Sequence, residues 1–511
     1  MNIGTLPARH ARYRPDHLAL VTESHRLTWA AFEQRIGRLA GALQAIGVGR
    51  GDKIATVLPN GLAIYETYWA AARIGAATVP LSPLVRGEGL ATPLRDSDAS
   101  VVVADAAYAD DLAQIRARLD IPGDRYLFCG GDAGFGRRFD ALTDGTTAAA
   151  SPQPPEVDAG DPFNIMYSSG TTGAPKGIVL TYGIRAAYCT LFASEWRMTP
   201  ESVVLHAGSL VFNGAFVTMM PAMYRGATFV LLRQFDPEAV LRTIEQERVT
   251  HSMMVPSQIV ALLNAPGFDR DRLASLEMLG SVGAPLHREH RDRLLEQLPG
   301  RLYELYGLTE GFVTILDRDE FARKIDSVGT PASFAEMRII GADGAEVPPG
   351  TVGEITGRSP LLMPGYYKRP DLTRAAIVDG WLHTGDLGYA DDDGFLHLVD
   401  RQKDMIISGG VNVYPRDIEE IFVAHPAVRE AAVFGIPDDR WGEAPMAAVI
   451  VRAQPAVSPD ELKAWVNTRV AARYQRVAAV VFVEEFPRST AGKTLKRVLR
   501  APYWAGRAEQ I

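Results

Sequence analysis

The chain has 511 residues, 47% of them hydrophobic and 22% charged, with a formal net charge of −8. That length suggests roughly three structural units that need no disulfide or metal staple, and the acidic balance argues against a nucleic-acid partner. Two cysteines, Cys129 and Cys189, exclude a disulfide framework and a cysteine-rich zinc site, and fit a reducing compartment.

Met1 to Leu20 has no apolar core of signal-peptide length, and the apolar stretch from Trp69 to Leu81 is broken by Arg73 and too short for a bilayer. No membrane span and a cytoplasmic address are expected. LTWAAFEQRIGRLAGALQAIGV has apolar residues at helical spacing. KIATVLPN reads as a buried strand, ETYWAAARIGAATVPL as a helix running into a strand, and ASVVVAD as another strand. Such alternation predicts parallel sheets with helices on their faces. The stretch from Thr143 to Asp161 is rich in Ala, Pro, Ser and Thr and reads as a surface connection.

A second α/β unit is expected from about 162 to 330. GEITGRSPLLMPGYY and GFLHLVD then alternate as antiparallel strands around turns such as DDDG. After Asp400 come helix DIEEIFVAHP, strands AAVFGIP and MAAVIVRA, helix SPDELKAWVNTRV, strand AAVVFVEEFP and a basic tail, together a small α+β domain.

YSSGTTGAPKG, from Tyr167 to Gly177, sets three glycines, two serines and two threonines in eleven residues, between the strand FNIM and the apolar IVL. A loop of this kind wraps polyphosphate oxygens with backbone N–H groups and hydroxyls, and Lys176 adds a cation. Pro175 stands where a Walker loop requires glycine. The segment resembles the phosphate loop of the adenylate-forming superfamily, which holds acyl-CoA synthetases, adenylation domains and luciferases. GSVGAP (280–285), YELYGLTE (303–310), WLHTGDLG (381–388), DRQKDMIISGGVNVYP (400–415) and PRSTAGKTLKR (487–497) follow in that family's order.

The resemblance implies a large N-terminal domain, residues 1–399, of stacked α/β layers plus a distorted β-barrel. A hinge at 400–404 would join it to a mobile α+β domain at 405–511. It further implies an ATP- and Mg²⁺-dependent ligase that makes an acyl-AMP with release of pyrophosphate, then passes the acyl group to CoA. Ser168, Ser169, Gly170, Thr171, Thr172, Gly173 and Lys176 would cradle the phosphates. Thr309 would donate to the α-phosphate, and Glu310 would hold Mg²⁺, a hard cation that prefers oxygen ligands. Tyr306 would stack on adenine beside Gly283, Ala284 and Pro285, with Glu304 and Gly307 in the same nucleotide site. Asp386 would hold the ribose hydroxyls near Arg401, and Lys493 would bind the acid's carboxylate and the α-phosphate during adenylation. Asp400 and Lys403 mark the hinge. Ser408, Gly409, Gly410 and Trp441 would flank the pantetheine channel, where glycine leaves room for the arm.

Two segments depart from the family pattern. GSLVFNGAF puts Phe212 where many acyl-CoA ligases have a histidine, followed by Asn213; ARYQRVAAV places Gln475 where a lysine and a proline are usual. His206 reads as a packed structural histidine, and HREH (287–290) as an exposed helix start. The expected acyl pocket comprises Phe212, Asn213, Gly214, Phe216, Gly280, Ser281, Val282, Gly311 and Phe312. No charge lies among these, which points to an apolar, alicyclic or aryl acid, with Asn213 able to read one ring hydroxyl or keto group. The alternatives keep adenylation but transfer the acyl group to an amine, as in amide-forming ligases of the coronafacate type, or to a carrier-protein thiol. A binding protein on an inactive scaffold is a rival of another class. The chain is expected to be a monomer or homodimer.

Overall fold

The structure is a computed structural model that describes residues 2–143, 152–168, 176–401, 403–408, 411–438, 440–452, 454, 456–470, 472–489 and 494–505. A seven-stranded sheet runs in the order Arg137–Arg138, Tyr126–Cys129, Val101–Asp105, Lys53–Val57, Ala77–Leu81, β1 (Pro162–Ser168) and β2 (Lys176–Thr181). All its pairs are parallel except β1 with β2, which are antiparallel and flank the phosphate-loop sequence. Runs such as VVVAD and ATVPL are buried nearly throughout, as a parallel sheet covered on both faces demands.

Between this sheet and a second one lies a helical layer: Trp29–Ala45, Leu62–Ile74, α1 (Tyr182–Glu195) and α2 (Asn213–Arg225). Twelve of the thirteen residues of Leu62–Ile74 are buried. Its Trp69 meets Phe163 of the first sheet (6.4 Å between centroids), and its Tyr65 stacks on Phe229 of the second (5.2 Å). One hydrophobic core is therefore shared by both sheets.

The second sheet has nine strands, with β3 (Met278–Val282), β4 (Leu302–Gly307) and β5 (Val313–Leu316) next to one another. Its far edge is made by Leu18–Val21 and Arg26–Thr28; Leu20 and Val21 pair in parallel with Phe229 and Val230. The two α/β units thus do not follow the chain in two blocks. The N-terminal segment crosses into the second sheet, while β1 and β2, expected to open the second unit, complete the first.

A third, five-stranded antiparallel sheet forms the region expected as the distorted barrel. It includes β6 (Trp381–Ala390) and β7 (Leu396–Arg401) and closes over a core of its own with Phe312, Ile355, Leu382 and Leu396. Beyond it stands a separate α+β unit. Its five strands, among them Val428–Asp438 and Gly442–Val451, carry α3 (Pro415–Val423) and Pro459–Asn467. The basic tail there forms α4 (Lys496–Trp504). No helix among the described residues is long and apolar enough to cross a membrane.

Candidate active site

The functional residues gather where β3 and β4 end, the edge at which open α/β sheets receive ligands. After β4 the chain reverses within Leu308–Phe312: Leu308 N donates to Phe312 O (3.1 Å) and Gly311 N to Leu308 O (3.1 Å). Gly311 has φ +122°, and a Cβ there would lie 2.1 Å from Leu361 O, so the turn requires glycine. The same turn holds Thr309 and Glu310 at the cleft. The Tyr366 hydroxyl donates to Glu310 Oε1 at 3.0 Å, and Lys176 Nζ lies 5.1 Å from the centroid of the Tyr366 ring. Burial, then Glu310, pushes the Tyr366 phenol far above its ordinary pKa, so it remains a donor. Gly365–Tyr367 lie along β2, with Val179 N donating to Gly365 O and Tyr367 N to Gly177 O. Cation, phenol and carboxylate thus meet at the exit of the phosphate-loop sequence.

A divalent cation fits this arrangement, because Mg²⁺ keeps most of its waters and takes one carboxylate plus substrate phosphates. Among the described residues no group of three or more acids, histidines or cysteines forms a metal cage.

A second cluster joins the second and third sheets. The Tyr306 hydroxyl donates to Asp386 Oδ2 (2.9 Å), and Arg401 Nε lies 3.2 Å from Asp386 Oδ1, where Asp386 and Arg401 are paired across β6 and β7. Burial, followed by Asp386, drives the Tyr306 pKa well up. Gly283, Ala284 and Pro285 form an exposed turn at the end of β3, with Gly283 at φ +93°.

Three expected site residues turn away. Glu304 is buried against Arg291, whose Nη2 donates to Oε1 at 2.7 Å and lies 2.6 Å from Oε2. It is a structural ion pair, not a nucleotide contact. Strand pleating sends alternate side chains to opposite faces. Met278 belongs to the shared core and Leu279 to the outer one, so Ser281 points outward, away from Gly280 and Val282. Phe312 is fully buried in the third sheet, where a Cβ on Gly357 would strike its ring. Neither Ser281 nor Phe312 lines the acyl wall.

Phe212 is half-buried against the shared core and precedes α2. Asn213 Nδ2 donates to the Tyr188 hydroxyl (3.0 Å). A Cβ on Gly214 would sit 3.9 Å from Val282 Cγ1, so the start of α2 faces the end of β3. The space beside Gly280 is filled by the Met253 thioether, a flexible occupant. Phe216 is fully buried and tilts against Tyr68 (5.5 Å). His206 is packed parallel to Phe229, and burial lowers its pKa to about 4, as suits a structural histidine.

Ser169, Gly170, Thr171, Thr172, Gly173, Gly409, Gly410 and Lys493 lie outside the described residues. Ser408 is buried and pairs with Val411, while Trp441 N donates to Asp438 Oδ1 (2.8 Å). Where the third sheet gives way to the α+β unit, Asp400 Oδ2 accepts from Arg416 N at the start of α3 (3.0 Å). Burial raises its pKa to about 6. Burial, then Arg401, lowers the pKa of Lys403. Lys496 of α4 lies 2.7 Å from Glu419 of α3. His287, read as an exposed helix start, lies 3.0 Å from Glu420 of α3 across the seam between the units. Sequence reasoning missed Tyr366, Arg416, Glu419 and Lys496 as members of these clusters; the doubled tyrosine of GYY was the one local signal.

Residues 7–367 match the AMP-binding enzyme family and residues 417–493 the AMP-binding enzyme C-terminal domain. The chain belongs to this family. It is an ATP-dependent, AMP-forming acid ligase. It is 37% identical over 507 residues to a feruloyl-CoA synthase of an Amycolatopsis species, covering 98% of each chain. Among solved structures it resembles ATP-bound MatB from Rhodopseudomonas palustris (28% identity, TM-score 0.89, 99% of each chain). It is also similar to the amide bond synthetase McbA from Marinactinospora thermotolerans (30% identity, TM-score 0.86, covering 98% of this chain and 99% of that one).

Proposed function

We propose that this enzyme activates an aryl or other largely apolar carboxylic acid as its acyl-AMP and transfers the acyl group to CoA. The observation that carries the reading is the Tyr306–Asp386–Arg401 cluster beside Glu310, Tyr366 and Lys176: a polyol-binding carboxylate next to a phosphate and cation site. The acid's carboxylate attacks the α-phosphorus of ATP and pyrophosphate leaves. The CoA thiol then attacks the acyl carbonyl and AMP leaves.

In this reading Asp386 accepts from the ribose hydroxyls, held in place by Tyr306 and Arg401. Glu310, oriented by Tyr366, holds Mg²⁺, which neutralises charge on the phosphates when bound. Ser168, the loop 169–173 and Lys176 embrace the phosphates, and Thr309 and Lys493 meet the α-phosphate. Residues 1–399 act as the adenylating body, with 405–511 turning about 400–404 between the two half-reactions. The pocket between α2 and β3 takes the acid through Phe212, Asn213, Gly214, Phe216, Gly280 and Val282.

CoA as acceptor is supported by the feruloyl-CoA synthase relative and by the glycine pair Gly409 and Gly410. Transfer to an amine is the second reading, favoured by the likeness to an amide bond synthetase and by Gln475 in place of a cation. Product analysis with ATP, Mg²⁺, an aryl acid and either CoA or a panel of amino acids separates the two. Thioester as the main product is expected, and Gly410→Leu should abolish it while pyrophosphate exchange continues. Amides with only traces of thioester would move the assignment to the second reading.

A further inference from the structure

Arg185 on α1 is fully buried, yet no carboxylate pairs with it among the described residues. Its guanidinium lies between the rings of Tyr188 (4.7 Å to the centroid) and Phe216 (4.1 Å). Nε and Nη2 donate to Asn164 Oδ1 at 3.2 and 3.1 Å, while Nη1 makes no hydrogen bond of good geometry, although the nearby Tyr188 hydroxyl favours the guanidinium charge. Burial lowers its pKa to about 10, so the charge persists at neutral pH. A buried cationic donor without a partner is costly, and native structures rarely leave one without cause.

The neighbouring polar atoms are also incomplete. Tyr188 accepts from Asn213 Nδ2, and its own proton has no acceptor among the described residues. Asn213 Oδ1 is buried without a donor. Arg185 and Tyr188 on α1 lie deeper than the half-buried Phe212 and Val282, with the guanidinium beside the Phe216 ring, while Asn213 at the start of α2 is half-buried like them. An acid entering between α2 and β3, with its carboxylate toward the nucleotide, would bring its far end to them.

We propose that Arg185, Tyr188 and Asn213 form the polar end of the acyl pocket and select a hydroxyaryl acid, an acid whose far end carries a hydroxyl group. The proposal rests on the adenylation reading above. A hydroxyl offers one proton and two lone pairs. The proton goes to Asn213 Oδ1, and the lone pairs accept from Arg185 Nη1 and the Tyr188 hydroxyl. A second carboxylate would serve the two donors but leave Asn213 Oδ1 unserved. The half-buried Phe212 ring, before the start of α2, offers a flat surface to an aryl group.

The test is hydroxamate trapping with three acids of one length: a 4-hydroxyaryl acid, its deoxy counterpart and a dicarboxylic analogue. A site built to bond a hydroxyl rejects the analogue that lacks it, so kcat/KM should favour the hydroxyl acid by about tenfold or more. Tyr188→Phe and Asn213→Leu, each checked for a native-like thermal transition, should shrink that ratio severalfold, chiefly by raising KM for the hydroxyl acid. The proposal falls if the folded wild-type enzyme does not prefer the hydroxyl acid, or if the ratio survives in both variants. It falls equally if the dicarboxylic acid is preferred, since Arg185 then takes an anion. Absence of hydroxamate with every acid would overturn the adenylation reading and the subsite with it.

Discussion

Glu310 is the carboxylate at the cleft that the Tyr366 hydroxyl orients, and Lys176 lies over the same ring. A partner that orients a metal ligand is commonly worth tenfold or more in metal affinity. Tyr366→Phe should therefore raise the Mg²⁺ concentration for half-maximal pyrophosphate exchange by about tenfold, with the KM for the acid little changed; an unshifted Mg²⁺ titration would remove Glu310 from the metal site. Lys493→Ala should slow adenylation on the order of a hundredfold, the scale of losing one preorganised electrostatic donor. Transfer from supplied acyl-AMP should survive, and equal loss in both half-reactions would refute the role. Motif blocks pointed to Thr309, Glu310 and Asp386, and the structure sets the first two on the turn after β4 and the third beside Tyr306. Glu304 and Ser281 within those blocks, and Phe312 just after one, have side chains that pleating or a neighbouring core turns elsewhere. Tyr366 and Arg185 were illegible, since each gains meaning from a partner distant in the chain: Tyr366 stands 56 residues from Glu310.

Elements announced themselves by period, and their neighbours did not. The helix read from LTWAAFEQ spans Trp29–Ala45, and its N-cap Thr28 accepts from Ala31 N (3.3 Å). KIATV and VVVAD formed strands where continuous apolar runs require them. Sheet membership is a long-range property: nothing local to LALV says that it will lie beside Phe229 and Val230. The turn Leu308–Phe312 shows how an element holds chemistry in place. At Gly311 a side chain meets both a left-handed φ and the Leu361 carbonyl. Gly344, at φ +79° with open space around it, meets only the first difficulty. Gly311→Ala should thus lower the thermal midpoint more than Gly344→Ala, whose cost is about 1 kcal/mol. It should also shrink the stabilisation given by ATP, because Thr309 and Glu310 move with the turn. Equal midpoints for the two variants would show that the turn yields without strain.

At the scale of the whole molecule, the two units meet around a buried proton site. Asp400, at the end of β7, accepts from Arg416 N on α3, and Arg416 Nη1 reaches back to Leu398 O (2.8 Å). Lys496 and Glu419 are the charged side chains that act on Asp400, and the backbone N–H groups of Arg401 and Arg416 donate to its carboxylate. Burial, joined by the Glu419 carboxylate, outweighs Lys496 and the backbone N–H donors of Arg401 and Arg416 and lifts the Asp400 pKa to about 6, against about 3.9 for an exposed aspartate. Between those two values this arrangement binds a proton that one exposing Asp400 does not. Linkage then fixes the sign: the arrangement gains as pH falls from about 6 towards about 3.9, loses that gain as pH rises back to about 6, and is indifferent to this proton above it. Dyes placed on exposed positions of the two units should report an energy-transfer change as pH falls from about 6 towards about 3.9 in the wild-type enzyme. His287, 3.0 Å from Glu420, is a second titratable group at the same seam, so His287→Gln should be measured alongside. The transition should persist in His287→Gln and vanish in Asp400→Asn, which mimics the protonated carboxyl and holds the arrangement at every pH. A transition that follows His287 instead would assign the proton to the seam between the second sheet and α3, and leave the hinge carboxylate a structural cap.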